Sequence, residues 1–568
     1  MSRFPRNTVL LLLLALILLS VAVRYPLVEH ERYQTDSYYI HYLSKTISDD
    51  GYAKWTFHSL SYIGYYPFSY PAGVPFLMSE LSSATGVNIE LSILIADMML
   101  AIVFCLGVFI LARQFIRKPE YALLATFFSI LGARFVDTSY WDASARGSLV
   151  VLVVFVAFTS FRAASMGQRQ MLSLAAFFVA GCFAVHHMAV LLVPFGLGYL
   201  LASFQAHWMY ARARTHKRRA VVTSDIVVAI LVSVVAFGYF EFSKKSILTL
   251  GETSLFAFKP VALSIALNTA MSYTNQIGFI LIPAILCLPG LFRKARLSVE
   301  NLFLVSLILA FIPLLASTLY VSIVLSPFVS ILGAIYISNR LDSAKKKKLV
   351  VLLLVLLMAS SIFLPIWSSE RWNERAYSSG DTVEVDSRVF SDGMYLKYNY
   401  GEVYAISNVN TLQQLMAAAS DVNFLSSGIP AVIAGDIETI DIRSNVSWSS
   451  AEFPMNVYVW FQYKGESSVD FYVEVLVAYG LGYVAGPGNS TVTGVYFRSH
   501  SRMVVAVDNN WPSEFVGIYA TQQALFLAQL NAASWRSNQP HFGDSSSFDS
   551  YMTYSSGRTT YYIVNLPL

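Results

Sequence analysis

The chain has 568 residues, of which 55% are hydrophobic and only 13% are charged, and its net charge at pH 7 is +4. Its mean hydropathy of +0.54 and its low charge exclude an ordinary soluble domain, in which about a quarter of the residues are charged. The slight positive charge gives no support to nucleic acid as a partner. All three cysteines lie in apolar segments, so disulfide bonds are not expected to hold the chain together.

Eleven apolar segments, each close to the roughly 20 residues that a helix needs to cross a bilayer, fill the first two thirds of the chain. They lie near residues 8–23, 89–112, 121–135, 148–163, 171–185, 188–205, 225–242, 276–292, 300–318, 319–338 and 349–367. Every second loop between them is basic, from Arg3 and Arg6 to the lysine run at 345–348. Because short cytoplasmic loops collect Lys and Arg, the sequence predicts a multi-pass protein of the cell membrane with a cytoplasmic N-terminus.

The predicted membrane domain, residues 1–368, has three external loops, at 24–88, 135–147 and 243–275. The middle of the third loop, residues 256–271, is apolar enough to lie along the membrane interface or to re-enter the bilayer. The first segment has an alternative interpretation as a cleaved leader, since its basic start and apolar stretch precede Ser20-Val21-Ala22. Both interpretations leave the first loop outside.

From residue 369 the charge and the Ser, Asn and Gly content rise, and the apolar runs shorten to the length of strands. We therefore predict an extracytoplasmic mixed α/β domain over residues 369–568. Its predicted strands are 402–407, 431–434, 456–463, 469–478, 493–498 and 503–508, and its predicted helices are 411–424 and 521–535. Sequons at Asn445 and Asn489 suit an external location.

Acidic residues directly follow the first apolar segment, at Glu29, Glu31 and Asp36. A carboxylate at this position can act as a base toward an acceptor or help to hold a divalent cation. The alternative is a solvated helix end whose charges reach toward water. A polar stretch of this kind must lie outside the hydrocarbon. The Tyr-Pro cluster that follows over residues 65–75 favours a functional site over a solvated helix end.

This first loop resembles that of the polytopic GT-C glycosyltransferases, the superfamily of oligosaccharyltransferase catalytic subunits and protein O-mannosyltransferases. An acid and two aromatics (Asp36-Ser37-Tyr38-Tyr39), then Gly51, Trp55 and Tyr70-Pro71-Ala72-Gly73-Val74-Pro75, carry the resemblance. It implies a GT-C-like helical membrane domain in a prokaryotic cell envelope. It also implies a polyprenyl-phosphate-linked sugar as donor and a glycan or protein as acceptor. By this resemblance Asp36 is the catalytic base or the carboxylate that orients the acceptor, with Glu31 and Glu29 as alternatives.

A second acidic element is expected in the next external loop, where Asp137 and Asp142 are flanked by Arg134 and Arg146. Two carboxylates and two guanidinium groups suit a lipid phosphate or a metal, with Mg²⁺ or Mn²⁺ as the candidate ions. An ion-pair network within the loop is the alternative. The spacing departs from the adjacent acidic pair of oligosaccharyltransferase catalytic subunits, which counts against a bound metal.

Further candidates for contact with the acceptor or with a sugar or phosphate are His186, His187, Glu252 and Tyr70. Adjacent histidines point in different directions on a helix, so the pair is not expected to share a metal, and a purely structural role is its alternative. Glu252 resembles the loop glutamate that oligosaccharyltransferases use near their acceptor. The Trp-Trp-Asp-x-Gly motif with which those enzymes bind an acceptor sequon is missing from the sequence.

Three functions are therefore weighed. The first is a glycosyltransferase that moves one sugar from a polyprenyl-phosphate-linked donor at the outer membrane face. The second is a divergent oligosaccharyltransferase that transfers a whole lipid-linked glycan to protein. The third is a transporter or flippase with an external receptor domain. Transporters place polar residues at mid-membrane, whereas the predicted spans have almost purely apolar centres, which favours an enzyme working at the membrane surface.

Overall fold

A computed structural model of the chain describes most of the helical part and the strands of the C-terminal part. The described residues are 5–26, 31, 35–53, 56–57, 65–66, 70–166, 169–211, 228–229, 232, 260–294, 298–315, 318–343, 347–378, 404–407, 423–425, 437–445, 456–463, 471–475, 496–498, 502–508, 549–555 and 559–565. The chain divides into two compact units. One comprises Met1–Leu27 and Leu94–Trp372, and the other comprises Val28–Ile93 and Asn373–Leu568.

The described helices, in chain order, are α1 (Arg6–Ala22), α2 (Thr35–Asp50), α3 (Gly73–Thr85), α4 (Ile89–Phe115), α5 (Pro119–Ile130), α6 (Ala133–Asp137), α7 (Ala145–Met166), α8 (Arg169–Val185), α9 (Val193–Ala211), α10 (Pro260–Ile277), α11 (Leu281–Lys294), α12 (Val299–Phe311), α13 (Thr318–Ser343) and α14 (Lys347–Ser378). Short 3₁₀ turns at His187–Leu192 and Ile312–Leu314 precede α9 and follow α12.

Five helices within the described residues are long and apolar enough to cross a membrane, and a bent pair of helices adds a sixth. The five span-length stretches are Ile89–Phe115, Ala145–Met166, His187–Ala206, Tyr320–Leu341 and Lys348–Ile366. Each coincides with a predicted segment, and three shorter apolar helices match further segments. The protein is therefore a multi-pass membrane protein. The predicted segment 225–242 lies almost wholly outside the described residues, so the count of eleven spans stays a prediction.

The segment predicted at 121–135 is interrupted, since α5 ends at Ile130 and the short helix α6 starts beyond Gly132. A Cβ atom at Gly132 would lie 2.9 Å from the Ser326 side-chain oxygen, so only a glycine fits here without a shift of that side chain. The break turns the chain into α6 and the polar loop that follows it. It thereby positions the residues of the second loop.

A sharp bend joins α10 to α11, whose axes differ in direction by 106°. Gly278 lies at the bend with φ +104, a backbone conformation that L side chains rarely adopt. A pair bent in this way forms either a broken span or a re-entrant loop. The bend falls within the predicted span 276–292 and interrupts it near its start, while the predicted interfacial or re-entrant character of residues 256–271 stays a prediction.

The hydrophobic core of the first unit is built mainly from α4, α5, α7 and α13. Helix α7 is buried on almost all sides, as expected of a helix that is apolar around its whole circumference and sits inside a bundle. Helix α14 is also strongly apolar, but only 17% of its apolar stretch is buried, which suits a helix surrounded by lipid. All three cysteines are buried free thiols, as the sequence predicted.

In the second unit, α2 packs against α3, and α3 ends where Gly86 adopts a left-handed conformation. A small hairpin (β1 Thr56–Phe57, β2 Tyr65–Tyr66) lies between these helices in sequence. The remaining strands are β3 (Tyr404–Ser407), β4 (Asn423–Leu425), β5 (Ile437–Asn445), β6 (Asn456–Tyr463), β7 (Phe471–Val475), β8 (Tyr496–Arg498), β9 (Arg502–Asp508), β10 (Asp549–Ser555) and β11 (Thr559–Asn565).

These strands form a five-stranded sheet in the order β10-β11-β9-β3-β4 and a four-stranded sheet in the order β7-β6-β5-β8. Strand β3 runs parallel to both β4 and β9, and the other pairs are antiparallel. Asn423 and Phe424, predicted as the end of a helix, lie instead in β4. The predicted strand 431–434, the predicted helix 521–535 and the rest of 411–424 lie outside the described residues, so the mixed α/β domain stays a prediction.

Candidate functional site

The first polar cluster lies in the second unit and is formed by Glu31, His41 and Glu90; we call it the first-loop cluster. Glu31 is only 1% exposed, and its Oε2 lies 2.7 Å from the Nδ1 atom of His41, which α2 carries. The backbone N–H of Glu31 donates to Oε1 of Glu90, at the start of α4, over 2.9 Å. A buried carboxylate of this kind needs charged or hydrogen-bonding partners, and the cluster supplies an imidazole.

The other candidates in this loop are placed less completely. Asp36 lies in the first turn of α2, but its side chain is not among the described ones. Tyr70 is buried just before α3 begins. Glu29 and Glu252 lie outside the described residues. Their predicted roles therefore stay predictions.

The second polar cluster lies in the first unit, around the chain between α5 and α7. We call residues 132–144 the second-loop segment. Asp142 lies in it and is 1% exposed. Its backbone N–H donates to Oδ2 of Asp97, a 2%-exposed residue of α4, over 2.9 Å. Two buried acidic residues are thus joined by a hydrogen bond from the backbone N–H of Asp142 to the carboxylate of Asp97.

Arg24, directly after α1, is fully buried against the same segment. Its Nε donates to the Ser139 hydroxyl over 2.7 Å, and its Nη2 donates to the carbonyl of Ile130 over 3.3 Å. Its guanidinium carbon lies 4.6 Å from the centre of the Phe135 ring, within the range of a cation–π contact. Burial lowers the pKa of Arg24 to about 10, while the charge of Asp97 opposes that shift, so the guanidinium stays charged at neutral pH.

Trp141, immediately before Asp142, has a φ of 49 and is the one non-glycine residue of the described chain with a positive φ. Such a conformation is uncommon for a bulky residue. Further along, a Cβ atom at Gly147 would lie 2.7 Å from the Thr138 carbonyl oxygen. The second-loop segment therefore closes tightly onto the first turn of α7.

The predicted quartet of charges in this loop divides into two parts. Arg134 Nη1 and Asp137 Oδ2 lie 2.6 Å apart as an i,i+3 ion pair on α6, so the ion pair weighed from the sequence is present. Arg146, at the start of α7, instead lies over the ring of Tyr320 of α13, with 5.6 Å between guanidinium carbon and ring centre. This places a guanidinium beside the aromatic end of a neighbouring helix.

The histidine pair lies close to the same tyrosine. The His186 ring is centred 4.4 Å from that of His187 and 5.8 Å from that of Tyr320. The N–H of Met188 donates to Nδ1 of His186 over 2.9 Å, so the neutral ring carries its proton on Nε2. Burial lowers the pKa of His186 well below 6.5, and His187 and Arg146 lower it further. Arg146 therefore lies over Tyr320 and within electrostatic range of both imidazoles, and its positive charge could attract an anion.

No three His, Cys, Asp or Glu side chains of the described residues group closely enough to hold a metal ion. The residues that the sequence did not single out are Arg24, His41, Glu90, Asp97 and Tyr320. One signal was available for Asp97, since an acid inside an apolar segment usually marks a functional or pairing site.

No family model and no curated protein sequence matches the chain. Among solved structures, it is similar to the oligosaccharyltransferase of Archaeoglobus fulgidus in the apo form, with a TM-score of 0.52 and 12% identity over 77% of this chain and 66% of that one. The same protein in complex with an inhibitory peptide and a dolichol-phosphate gives a TM-score of 0.51 and 12% identity, with coverage of 76% and 66%.

A structure of that oligosaccharyltransferase with zinc and sulfate gives a TM-score of 0.51 and 12% identity, with coverage of 74% and 63%. The chain is also similar to ArnT from Cupriavidus metallidurans bound to undecaprenyl phosphate, with a TM-score of 0.47, 10% identity and 98% of both chains covered. The TM-scores of 0.52 and 0.51 with the oligosaccharyltransferase show that the chain has the fold of the polytopic GT-C membrane glycosyltransferases, which agrees at the level of the fold with the resemblance drawn from the first loop. It spans about two thirds of the length of the oligosaccharyltransferase.

Proposed function

We propose that the protein transfers a sugar from a polyprenyl-phosphate-linked donor to a glycan or protein acceptor at the outer face of the membrane. The observation that carries this proposal is the pair of buried acidic clusters in a chain with the GT-C fold, in which Glu31 of the first predicted external loop and Asp142 of the second each bind a carboxylate of α4 through the backbone N–H. Buried carboxylates are costly and usually serve a function near a membrane. The fold likeness supports a glycosyltransferase in general, and the donor, acceptor and orientation are part of the proposal.

The proposed reaction forms a bond from the acceptor oxygen or nitrogen to the anomeric carbon and breaks the bond from that carbon to the carrier phosphate. Asp36 takes the acceptor proton or orients the acceptor, with Glu31 as the alternative base because its carboxylate is hydrogen-bonded to an imidazole. The departing phosphate keeps the electron pair. Arg146 and His187 stabilise its negative charge, with Arg134 as a second candidate. Most of the catalysis is then positioning of the two substrates.

A divalent metal stays an open component of the proposal, with Mg²⁺ or Mn²⁺ as candidate ions. Asp137 and Asp142, the two carboxylates of the second predicted external loop, are the candidate ligands. Carboxylate oxygens are the ligands that such hard cations prefer. No step of the proposed reaction is assigned to a metal here.

The decisive experiment is transfer of radiolabelled sugar from polyprenyl-phosphate donors by the purified full-length protein, with and without a chelator. We expect labelled acceptor in the presence of the donor lipid. Loss of transfer on chelation, restored by Mg²⁺ or Mn²⁺, would add the metal to the mechanism. Absence of transfer from every polyprenyl-phosphate sugar offered, with acceptors taken from the cell envelope, would contradict the proposed function.

A second candidate is a divergent oligosaccharyltransferase, favoured by the TM-score of 0.52 with the Archaeoglobus enzyme. The missing Trp-Trp-Asp-x-Gly motif counts against it. Mass analysis of glycopeptides from a deletion strain separates the two. Loss of the entire glycan supports the oligosaccharyltransferase, whereas loss of a single sugar supports the first proposal.

The region 369–568 is proposed to form an extracytoplasmic domain that selects the acceptor and contributes no catalytic group. Its support is the composition change and the two described sheets. Protease added to the outside of intact cells should digest this region while leaving the membrane helices intact. Digestion only from the cytoplasmic side of inverted vesicles would contradict the proposed orientation.

A further inference from the structure

We propose that Asp97 and Arg24 are positioning residues that together fix the second-loop segment, so that the Asp142 carboxylate is held in one geometry for the lipid-linked donor. The assignment of Asp142 to the donor rests on the proposed function. The fixing of the segment itself rests only on the geometry of the first unit. Neither Asp97 nor Arg24 belongs to the segment that it holds.

The tether at the end of the segment is Asp97. An isolated carboxylate in an apolar helix is costly to desolvate, so the burial of Asp97 needs a specific partner. Its Oδ2 accepts the N–H of Asp142, and a hydrogen bond to an ionised acceptor is about twice as strong as a neutral one. This bond joins residues 45 positions apart. It therefore holds the loop against α4.

The tether at the start of the segment is Arg24. Its side chain binds the Ser139 hydroxyl, the Ile130 carbonyl and the Phe135 ring, so it contacts the chain both before the segment and within it. The planar guanidinium offers several donors in fixed directions, which a lysine cannot reproduce. Two buried charges of opposite sign thus hold the two halves of one loop.

Trp141 explains why two tethers are needed. A non-glycine residue in the left-handed region is strained and persists only when the surrounding structure holds it there. The residue that follows Trp141 is Asp142, and its backbone N–H donates to the Asp97 carboxylate. Without that bond the backbone at Trp141 is free to relax, and the direction of the Asp142 side chain changes with it.

The test compares Asp97→Ala and Asp97→Asn in the full-length protein, with Ser92→Ala as the matched control. Ser92 lies on the same helix, is buried, and its hydroxyl bonds only to its own helix in the described contacts. Hydrogen exchange of peptides covering residues 138–144 is measured without substrate. We expect exchange about tenfold faster in Asp97→Ala and near the wild-type rate in Asp97→Asn, whose amide oxygen still accepts the bond.

Sugar transfer is then measured with the same proteins. A misplaced reacting group lowers the rate by about 10²-fold. We therefore expect kcat to fall by about that factor in Asp97→Ala while the donor KM stays within about threefold of the wild-type value. Asp97→Asn should retain most of the wild-type rate. Arg24→Lys is the second probe, and it should speed exchange near Ser139.

Unchanged exchange in both Asp97→Ala and Arg24→Lys would overturn the inference, as would an Asp97→Asn protein whose loop exchanges as fast as that of Asp97→Ala. If Asp97→Ala does not fold, the Asn and Lys variants decide. A wild-type protein that transfers no sugar would refute the proposed function, while the exchange data would still decide whether the segment is tethered.

Discussion

The two acidic clusters bury their carboxylates to a similar degree, but they hold them in different ways. In the first-loop cluster, Glu31 is held by another side chain, since its carboxylate is hydrogen-bonded to the imidazole of His41. In the second-loop segment, Asp142 is held through its backbone N–H by a carboxylate from another helix. The first arrangement suits proton transfer, and the second suits fixed placement of charge.

The comparison predicts that the largest effect on transfer follows from loss of the acid in the first loop. Asp36→Asn should lower transfer by about 10²–10⁴-fold, the range expected for loss of a general base, while membrane insertion is preserved. The measurement is the labelled-sugar assay with amounts of inserted protein matched. Asp49→Asn is the control, since Asp49 lies at the exposed end of the same helix and pairs with Lys45.

Wild-type transfer by Asp36→Asn would remove Asp36 from the catalytic role. The base would then be sought at Glu31, whose burial beside His41 is already established. The first loop would keep its proposed catalytic role after that result, but the assignment of the base to Asp36 from the motif would be wrong.

The second prediction concerns the Glu31–His41 pair. Glu31→Ala leaves a buried imidazole without its carboxylate partner, and the unfolding free energy should fall by about 1–3 kcal/mol. Glu31→Gln keeps a hydrogen-bond acceptor for the ring and should lose less. Thermal unfolding in detergent measures both variants. Equal loss in the two would show that the charge, not the hydrogen bond, stabilises the cluster.

A sequence reader can predict the helices of this protein much better than its polar clusters. Each span-length helix coincides with an apolar run, because hydropathy alone specifies such helices. The tethers of the second-loop segment join residues 45 and 115 positions apart, and nothing local in the sequence connects them. Asp97 and Arg24 each look like an isolated charge at or near an apolar segment until the helices are packed.

The strands show a second limit of sequence reading. Strand β6 was predicted with its observed bounds, since its apolar residues form a continuous run. Strands β5, β10 and β11 were not predicted. Strands β5 and β10 each contain a register shift, between Ile437 and Thr439 and between Met552 and Tyr554, whereas β11 pairs with β9 without one. A bulge adds one residue and moves the alternation out of phase, so the period of two that marks a strand is lost.

The third prediction uses the histidine next to Arg146. Because the pKa of His186 is lowered below 6.5 in the folded protein, the unfolded chain binds more protons below that pH. The contribution of His186 to the unfolding free energy should therefore be fully present above about pH 6.5 and fall by up to about 1.4 kcal/mol per pH unit below it. Thermal unfolding measured at several values from about pH 7 to about pH 5 follows this decline in the unfolding free energy.

His186→Asn is the matched variant, since asparagine can still accept the Met188 N–H but does not titrate. The groups facing the ring are His187, Arg146 and Tyr320, and all remain in the variant. A decline as steep as that of the wild type would assign the pH dependence to another group.

The smallest effect is expected at the ion pair of α6, where the second loop contains a contact that is local in sequence. Arg134 and Asp137 are three residues apart and mostly buried. A double-mutant cycle with Arg134→Gln and Asp137→Asn should give a coupling of about 0.5–1 kcal/mol in unfolding free energy, with the double variant more stable than the two separate losses would suggest.

Since the Arg134 guanidinium already binds a carboxylate, the donor KM should change by less than about threefold in Arg134→Gln. It should rise by about tenfold or more in Arg146→Gln, as expected for loss of a charged hydrogen bond. A tenfold rise in Arg134→Gln that persists in the double variant would instead make Arg134 the phosphate ligand, and the second loop would then hold its donor through α6 and not through the first turn of α7.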